Sequence, residues 1–335
     1  MNRRSSVAGD GRIRHYLPHR DPTAGWLIWT ALLVVYVVWG STYLAIAVMV
    51  DTLPPLLSAG IRFLIAGALL VGWLLLRGGR SAVSLTGRQL AACAVIGTAL
   101  LASGNGVLSV AQRDVPSALA ALLIASVPLW VVVLRLLLRE QLRSGVLWGV
   151  VLGFVGVAAL VLSNGLNGDI ALPSLLLVVL ASMSWATGSV FSRRLPLPSR
   201  PLLTTAVQML CGGAVLVVVS VVIGEAAAAD PSAFAIESIV ALGYLVVFGS
   251  IVAYTAYTWL LQNAPISTVA TYAYVNPVVA VLLGWALLQE DITVAMLLGA
   301  VMILGAVAFI VRSDSRSPSS LAPDVPEPAP TPLRS

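Results

Sequence analysis

The feature that most constrains this chain is a series of apolar runs of about 20 residues, separated by short polar breaks. That length matches a hydrocarbon core of roughly 30 Å, because a helix rises about 1.5 Å per residue. Ten such runs can be counted, at about 26–49, 55–76, 89–110, 115–137, 144–163, 171–191, 202–223, 238–260, 266–288 and 293–311. The runs are solidly apolar, as in "ALLVGWLLL", with none of the period-two alternation of a membrane barrel, so helices are expected. Composition agrees: 59% of the 335 residues are apolar and 10% charged, too little polar surface to cover a soluble globule.

Arginine placement orients the spans, since loops on the cytoplasmic side retain basic residues. With the N-terminus inside, seventeen of the nineteen arginines fall in cytoplasmic segments, among them Arg77, Arg80, Arg135, Arg139, Arg193, Arg194 and Arg200. The opposite loops hold Arg113 together with most of the acidic residues. Both termini are therefore expected in the cytoplasm. The net charge of +5 reads as a topology signal and gives no reason to expect nucleic acid. Residues 1–25 are polar and basic and residues 313–335 are rich in Pro and Ser, so both are expected to be disordered tails. A cleaved signal peptide, suggested by the small residues of "AIA" at 45–47, is the competing reading of the first run. Its 24 residues exceed the usual signal core.

The chain repeats itself. "WGSTYLA" from Trp39 returns as "WATGSVF" from Trp185, and "IRFLIAGA" from Ile61 as "VQMLCGGA" from Val207, each displaced by 146 residues. "VPSALAALLIASVP" from Val115 returns as "APISTVATYAYVNP" from Ala264, "LLRE" as "LLQE", and Gly149 as Gly299, displaced by 149 to 150. The two units are expected at 26–165 and 169–312. Each holds five spans, so the second must enter the bilayer inverted. Inverted repeats place a binding site near the midplane, at their junction.

Several residues are costly at membrane depth unless something uses them. Trp39, Gly40, Ser41, Thr42 and Tyr43 sit mid-span, and Trp185 with Thr187 and Ser189 meets them from the other half. Helix packing, with hydroxyls bonding their own carbonyls, is the competing reading for the small residues. Pro128 and Pro277 occupy equivalent positions and would free the carbonyls of Ile124 and Ala273, kinking the helices and lining a path. Asn276 stands beside Pro277, following Tyr272 and Tyr274. Arg62 is the costliest residue of all; its partner is open between a helix carbonyl, Asp51 and an anionic group on a solute. Glu140 and Glu290 end their runs and read as boundary or capping residues. Gly145, Gly149 and Gly153 form a small-residue ladder for close packing, within one chain or between two copies.

The missing residue types limit the chemistry. The chain has no Lys, which removes a Walker A loop and Schiff-base catalysis. His15 and His19 lie in the tail and Cys93 and Cys211 in separate runs, so no metal, cofactor or catalytic residue is expected.

Seven segments in order, "WGSTY", "GIRFLIAG", "GNGVLSVAQ", "VPSALAALL", "SWATGSVFSRR", "GYLVVFGSIVAY" and "TYAYVNPVVAVLLG", resemble the EamA branch of the drug/metabolite transporter superfamily over about 26–312. The resemblance implies an all-α membrane fold of ten helices, two inverted five-helix units around a central cavity, exporting amino acids, related metabolites or toxic compounds. Gln112 stands where an acidic residue can occur in that branch. The expected function is secondary export of a small solute by alternating access, without ATP, with the bilayer and the solute as partners and a homodimer left open. The expected pathway residues are Trp39, Ser41, Thr42, Tyr43, Arg62, Asn105, Trp185, Tyr254, Tyr274 and Asn276. A uniporter or exchanger without proton coupling, a non-transporting sensor or scaffold, and a membrane-embedded enzyme are the alternatives.

Overall fold

A computed structural model describes residues 22–140, 144–165, 170–264, 266–269 and 271–315. The expected tails, apart from a few residues beside the helices, lie outside the described residues. Eight helices among them are long and apolar enough to cross a membrane: α1 (Trp26–Thr52), α2 (Pro55–Ala82), α3 (Gly87–Ala111), α4 (Ser117–Leu137), α5 (Val146–Asn164), α6 (Leu172–Phe191), α7 (Pro201–Val222) and α8 (Ile236–Leu261). Two shorter apolar helices follow, α9 (Tyr272–Leu288) and α10 (Val294–Ile310). The polar breaks act as helix punctuation. Pro in the first turn opens α2, α6 and α7, where no intrahelical N–H is needed. Thr86 and Gln89 form a capping box before α3. Gln289, left-handed at φ 55°, stops α9.

The outward faces are apolar. Trp29, Leu76, Trp148, Val222, Trp285 and Val301 are all exposed, a surface suited to lipid and unsuited to water.

Repeat-related helices pair with each other, and they do so antiparallel. In α2 and α7, a Cβ on Gly60 would lie 3.0 Å from the Gly213 carbonyl, and one on Gly67 would lie 2.9 Å from that of Ala206. As the chain advances along α2 the contacts run backwards along α7. The same reversal joins α5 to α10, where Gly149 faces Ile310 and Gly156 faces Met302. The small-residue ladder thus packs within the chain: Gly149 and Gly153 both meet α10, and Gly153 also meets Leu129. Gly145 begins the same helix, and its surroundings lie outside the described residues.

The prolines behave differently from each other. α4 is not a continuous rod: it stops at Ile124, turns at Ala125–Ser126 and restarts at Val127, putting Pro128 in the first turn of the new segment. The expected mid-helix kink at Pro128 is therefore a full break, which the ring tolerates because a first-turn residue needs no N–H partner. Pro277 does lie inside α9. There the break comes earlier, between the short helix Ile266–Val269 and Tyr272.

Candidate functional site

Three stretches depart from α-helical geometry by widening into π-helical turns: Val35–Trp39, Thr98–Gly106 and Leu245–Val252. Such turns carry one extra residue per turn and recur at functional sites. Here all three face one hollow. Its lining includes Trp39 from the first, Gly104 and Asn105 from the second and Gly249 from the third. The second and third stretches lie in the third span of each repeat unit.

Arg62 enters this hollow from α2 and is 3% exposed. Its Nε donates to Ser250 Oγ at 2.8 Å, and its Nη1 donates to Asn105 Oδ1 at 3.2 Å. The two acceptors lie on the third spans of the two halves, so the guanidinium joins one half of the chain to the other. Its Cζ lies 4.8 Å from the centre of the Phe63 ring. Among the described residues no carboxylate pairs with it, and Asp51 is exposed at the end of α1. Of the three partners open from sequence, neither the helix carbonyl nor Asp51 takes the role. Gln208, the matching residue in the second half, accepts from Tyr254 OH at 2.7 Å.

An aromatic cluster covers one side of the hollow. Trp39 meets Trp185 edge-on at 5.6 Å, Tyr272 edge-on at 5.6 Å and Tyr257 at 4.8 Å between ring centroids. Its indole N–H donates to the Gly249 carbonyl at 3.3 Å. Beyond this layer lies a second recess, lined by Ser192, Arg193, Thr204 and Tyr257 among others, with Tyr254 shared by both spaces. The recess offers about 380 Å³ to the centres of water molecules and the hollow about 60 Å³. A buried water needs only about 10–15 Å³ by that measure, so even the hollow holds several.

The recess lies at the arginine-rich end of the bundle, where Arg200 donates to the Ser81 carbonyl and Glu140 sits between Arg135 at 2.8 Å and Arg194 at 2.6 Å. Hydrogen bonds from Arg135 first, and from Arg194, hold the Glu140 carboxyl below the usual carboxylate range. At the opposite end, carboxylates cap helices of the other half. Glu290 accepts from the backbone N–H groups of Ser117 and Ala118 at 2.7 and 2.9 Å, capping α4. Glu225 does the same for Leu56 and Leu57 in α2 at 3.1 and 3.0 Å. Ile46, Met49, Leu119 and Leu123 pack fully buried in the core on that side.

Of the ten residues expected in the pathway, eight line the hollow: Trp39, Thr42, Tyr43, Arg62, Asn105, Trp185, Tyr254 and Asn276. Ser41 does not, because it bonds the Val38 carbonyl at 2.7 Å and Tyr244 OH at 2.6 Å. Tyr274 does not either; its hydroxyl donates to the Val307 carbonyl at 2.9 Å. Thr187 and Ser189 bond carbonyls of their own helix, as the packing reading has it. Gly40 is the crossing point of α1 and α9, where a Cβ would lie 2.6 Å from Val279 Cβ. Tyr272, noted in the sequence as a neighbour of Asn276 but not placed in the pathway, also lines the hollow, as does Gly249, which was not singled out. Nor was Ser250 singled out as the partner of Arg62.

Two antiparallel copies of one helical unit, with an arginine-bearing hollow at their junction inside a lipid-suited exterior, define a multi-pass membrane protein of transporter type. The EamA-like transporter family model matches the chain twice, over residues 26–162 and 172–312, and the chain belongs to that family. It is similar to the "Uncharacterized inner membrane transporter YedA" of Escherichia coli K12, 40% identical over 282 residues, covering 84% of this chain and 89% of that protein. It is also similar to the "Probable amino-acid metabolite efflux pump" of the same organism, 28% identical and covering 82% and 91%. The "Uncharacterized transporter YoaV" of Bacillus subtilis is 26% identical, covering 81% and 92%. A solved crystal structure of 22% sequence identity aligns with a TM-score of 0.60 over 87% of this chain and 99% of its own, a likeness of fold alone.

Proposed function

We propose that this chain is a secondary exporter of small metabolites, amino acids or toxic compounds, working by alternating access between two inverted units of five helices each. In this reading α9 and α10 complete ten spans, and the arginine-rich face is cytoplasmic, with both termini on it. The observation that carries the proposal is the hollow itself. It holds a buried arginine within a mainly apolar lining, draws residues from both halves, and is parted from a larger recess on one face by an aromatic layer. On the other face the packed core of Met49, Leu119 and Leu123 closes the way. That asymmetry is what one state of an alternating transporter requires.

The carboxylates supply the switch. Glu140 and Glu290 are repeat-related and each follows a left-handed residue, Arg139 at φ 60° and Gln289 at φ 55°. Glu290 is docked on the start of α4, whereas Glu140 is held by arginines. The position equivalent to the start of α4 is the short helix at Ile266. Symmetry then describes the second state: Glu290 releases α4, Glu140 docks at Ile266, and the opening moves to the other face. No nucleotide takes part.

The test is reconstitution of the full chain in liposomes loaded with a bacterial metabolite extract. Protein-dependent loss of specific solutes is expected; retention of every solute at the rate of empty liposomes overturns the proposal.

A further inference from the structure

We propose that Arg62 recognises a carboxylate or similarly compact oxyanion on the transported solute, an inference that rests on the transport reading above. The hollow has one formal charge among its lining residues, and it is this guanidinium. Among the described residues no carboxylate supplies a counter-charge. Glu225 and Glu290 are committed to backbone N–H groups and Glu140 to two arginines, while Asp51 is exposed. Both partners of Arg62, Ser250 and Asn105, are neutral. A guanidinium carries five N–H donors, and these two bonds leave the rest without acceptors among the described residues. A cation kept this way at membrane depth is a functional feature by default, and the planar fork of an arginine suits two oxygens of one anion.

Two further observations place a ligand there. Asn276, 3% exposed and lining the same hollow, has a side-chain carbonyl with no hydrogen-bond partner among the described residues. An acceptor without a partner and a cation without a counter-charge in one hollow fit a solute bearing both an anion and an N–H or O–H donor. Gly249 provides the clearance: a Cβ at that position would lie 3.0 Å from Arg62 Nη2. The rings of Trp39, Trp185 and Tyr272 then cover whatever apolar body carries the anion.

The experiment is a thermal-shift titration of the purified full chain in detergent. The probes are acetate, butanoate, benzoate and phenylacetate as sodium salts, each against its own primary amide at matched ionic strength. At least one carboxylate should raise Tm at a concentration tenfold or more below its amide, and Arg62→Gln should erase the preference. Amides as effective as their acids, no shift by any carboxylate, or a preference that survives Arg62→Gln each overturn the inference. Where Arg62→Gln fails to elute as folded protein, Arg62→Lys replaces it: charge without the fork should keep the preference and weaken it at least fivefold, and unchanged affinity overturns the proposal. Flux separates this inference from the reading beneath it. Export of carboxylates at full rate by Arg62→Gln ends the anion site and leaves transport standing. Arg62-dependent binding of a carboxylate in a chain that moves no solute does the reverse.

Discussion

At the scale of single residues, the site depends on side chains that are absent as much as on those present. A Cβ at Gly249 would press on Arg62 Nη2 and Thr42 Cγ2, both at 3.0 Å. Gly249→Ala is therefore expected to displace the guanidinium from its acceptors and cut solute flux in liposomes by tenfold or more, with Tm falling only modestly because the neighbours are side-chain tips. Gly97 differs, for its Cβ would lie 2.3 Å from the Gln208 carbonyl oxygen, which is backbone. Gly97→Ala should cost about 1–3 kcal/mol of stability, the usual penalty for overpacking, whereas Gly72→Ala, with open space around it, should be harmless. Tm of the three purified variants checks the order. The same scale shows why eight of the ten residues expected in a pathway line the hollow and two do not. Polar and aromatic groups stand out in an apolar run, but a run apolar on every side gives no phase. Each residue turns a helix by about 100°, so Tyr43 returns to within about 40° of Trp39 while Ser41 points roughly opposite. Asn276 and Tyr272 share a face by the same arithmetic, and Tyr274 between them does not.

At the scale of elements, the sequence marked where helices start and stop more surely than where they bend. Proline and threonine sit at helix ends for local reasons that need no partner. The π-helical turns of α1, α3 and α8 arise from tertiary packing around the hollow, and nothing in "LLASGNG" or "LVVFGSIV" declares them. The break in α4 escaped for a related reason: Pro128 is equally at home in a kink and in a first turn, and Ser126, whose Oγ bonds the Leu123 carbonyl, decides it. Glu290 is the element-level hinge. Glu290→Gln puts an amide against two N–H donors and should weaken the cap by about 1–3 kcal/mol, the worth of a charged hydrogen bond. Each ~1.4 kcal/mol is tenfold in population, so the closed face should open measurably. Gly284→Ala should act alike, since its Cβ would lie 2.5 Å from Glu290 Oε2. Faster labelling of cysteines placed on that face is the readout. The Arg135–Glu140–Arg194 cluster answers to pH instead. Its carboxyl is depressed in the folded chain, so its contribution is present above the ordinary glutamate pKa and is lost as pH falls through the lower, folded value. Acid should thus release Glu140 only below the usual carboxylate range, and Glu140→Gln should remove that step from the pH profile of Tm.

At the scale of the whole molecule, the repeat was legible because two stretches of one chain can be laid over each other, and the double match to one family agrees with it. Which state the bundle occupies was not legible, since both states of an inverted pair use the same sequence and nearly the same contacts. The structure has its recess on the arginine-rich face, and this asymmetry makes the last prediction. In a background with Cys93 and Cys211 replaced by serine, Ser192→Cys lies in the recess and Ala118→Cys lies fully buried beneath Glu290. A membrane-impermeant maleimide applied to inside-out vesicles should label the first quickly, and applied to right-side-out vesicles should label the second slowly. Glu290→Gln should accelerate labelling at 118 and slow it at 192 in the same sample, because one rearrangement opens one face while closing the other. A gain at 118 without a loss at 192 would mean that the two ends breathe separately, and the halves would then not rock as rigid units about the hollow.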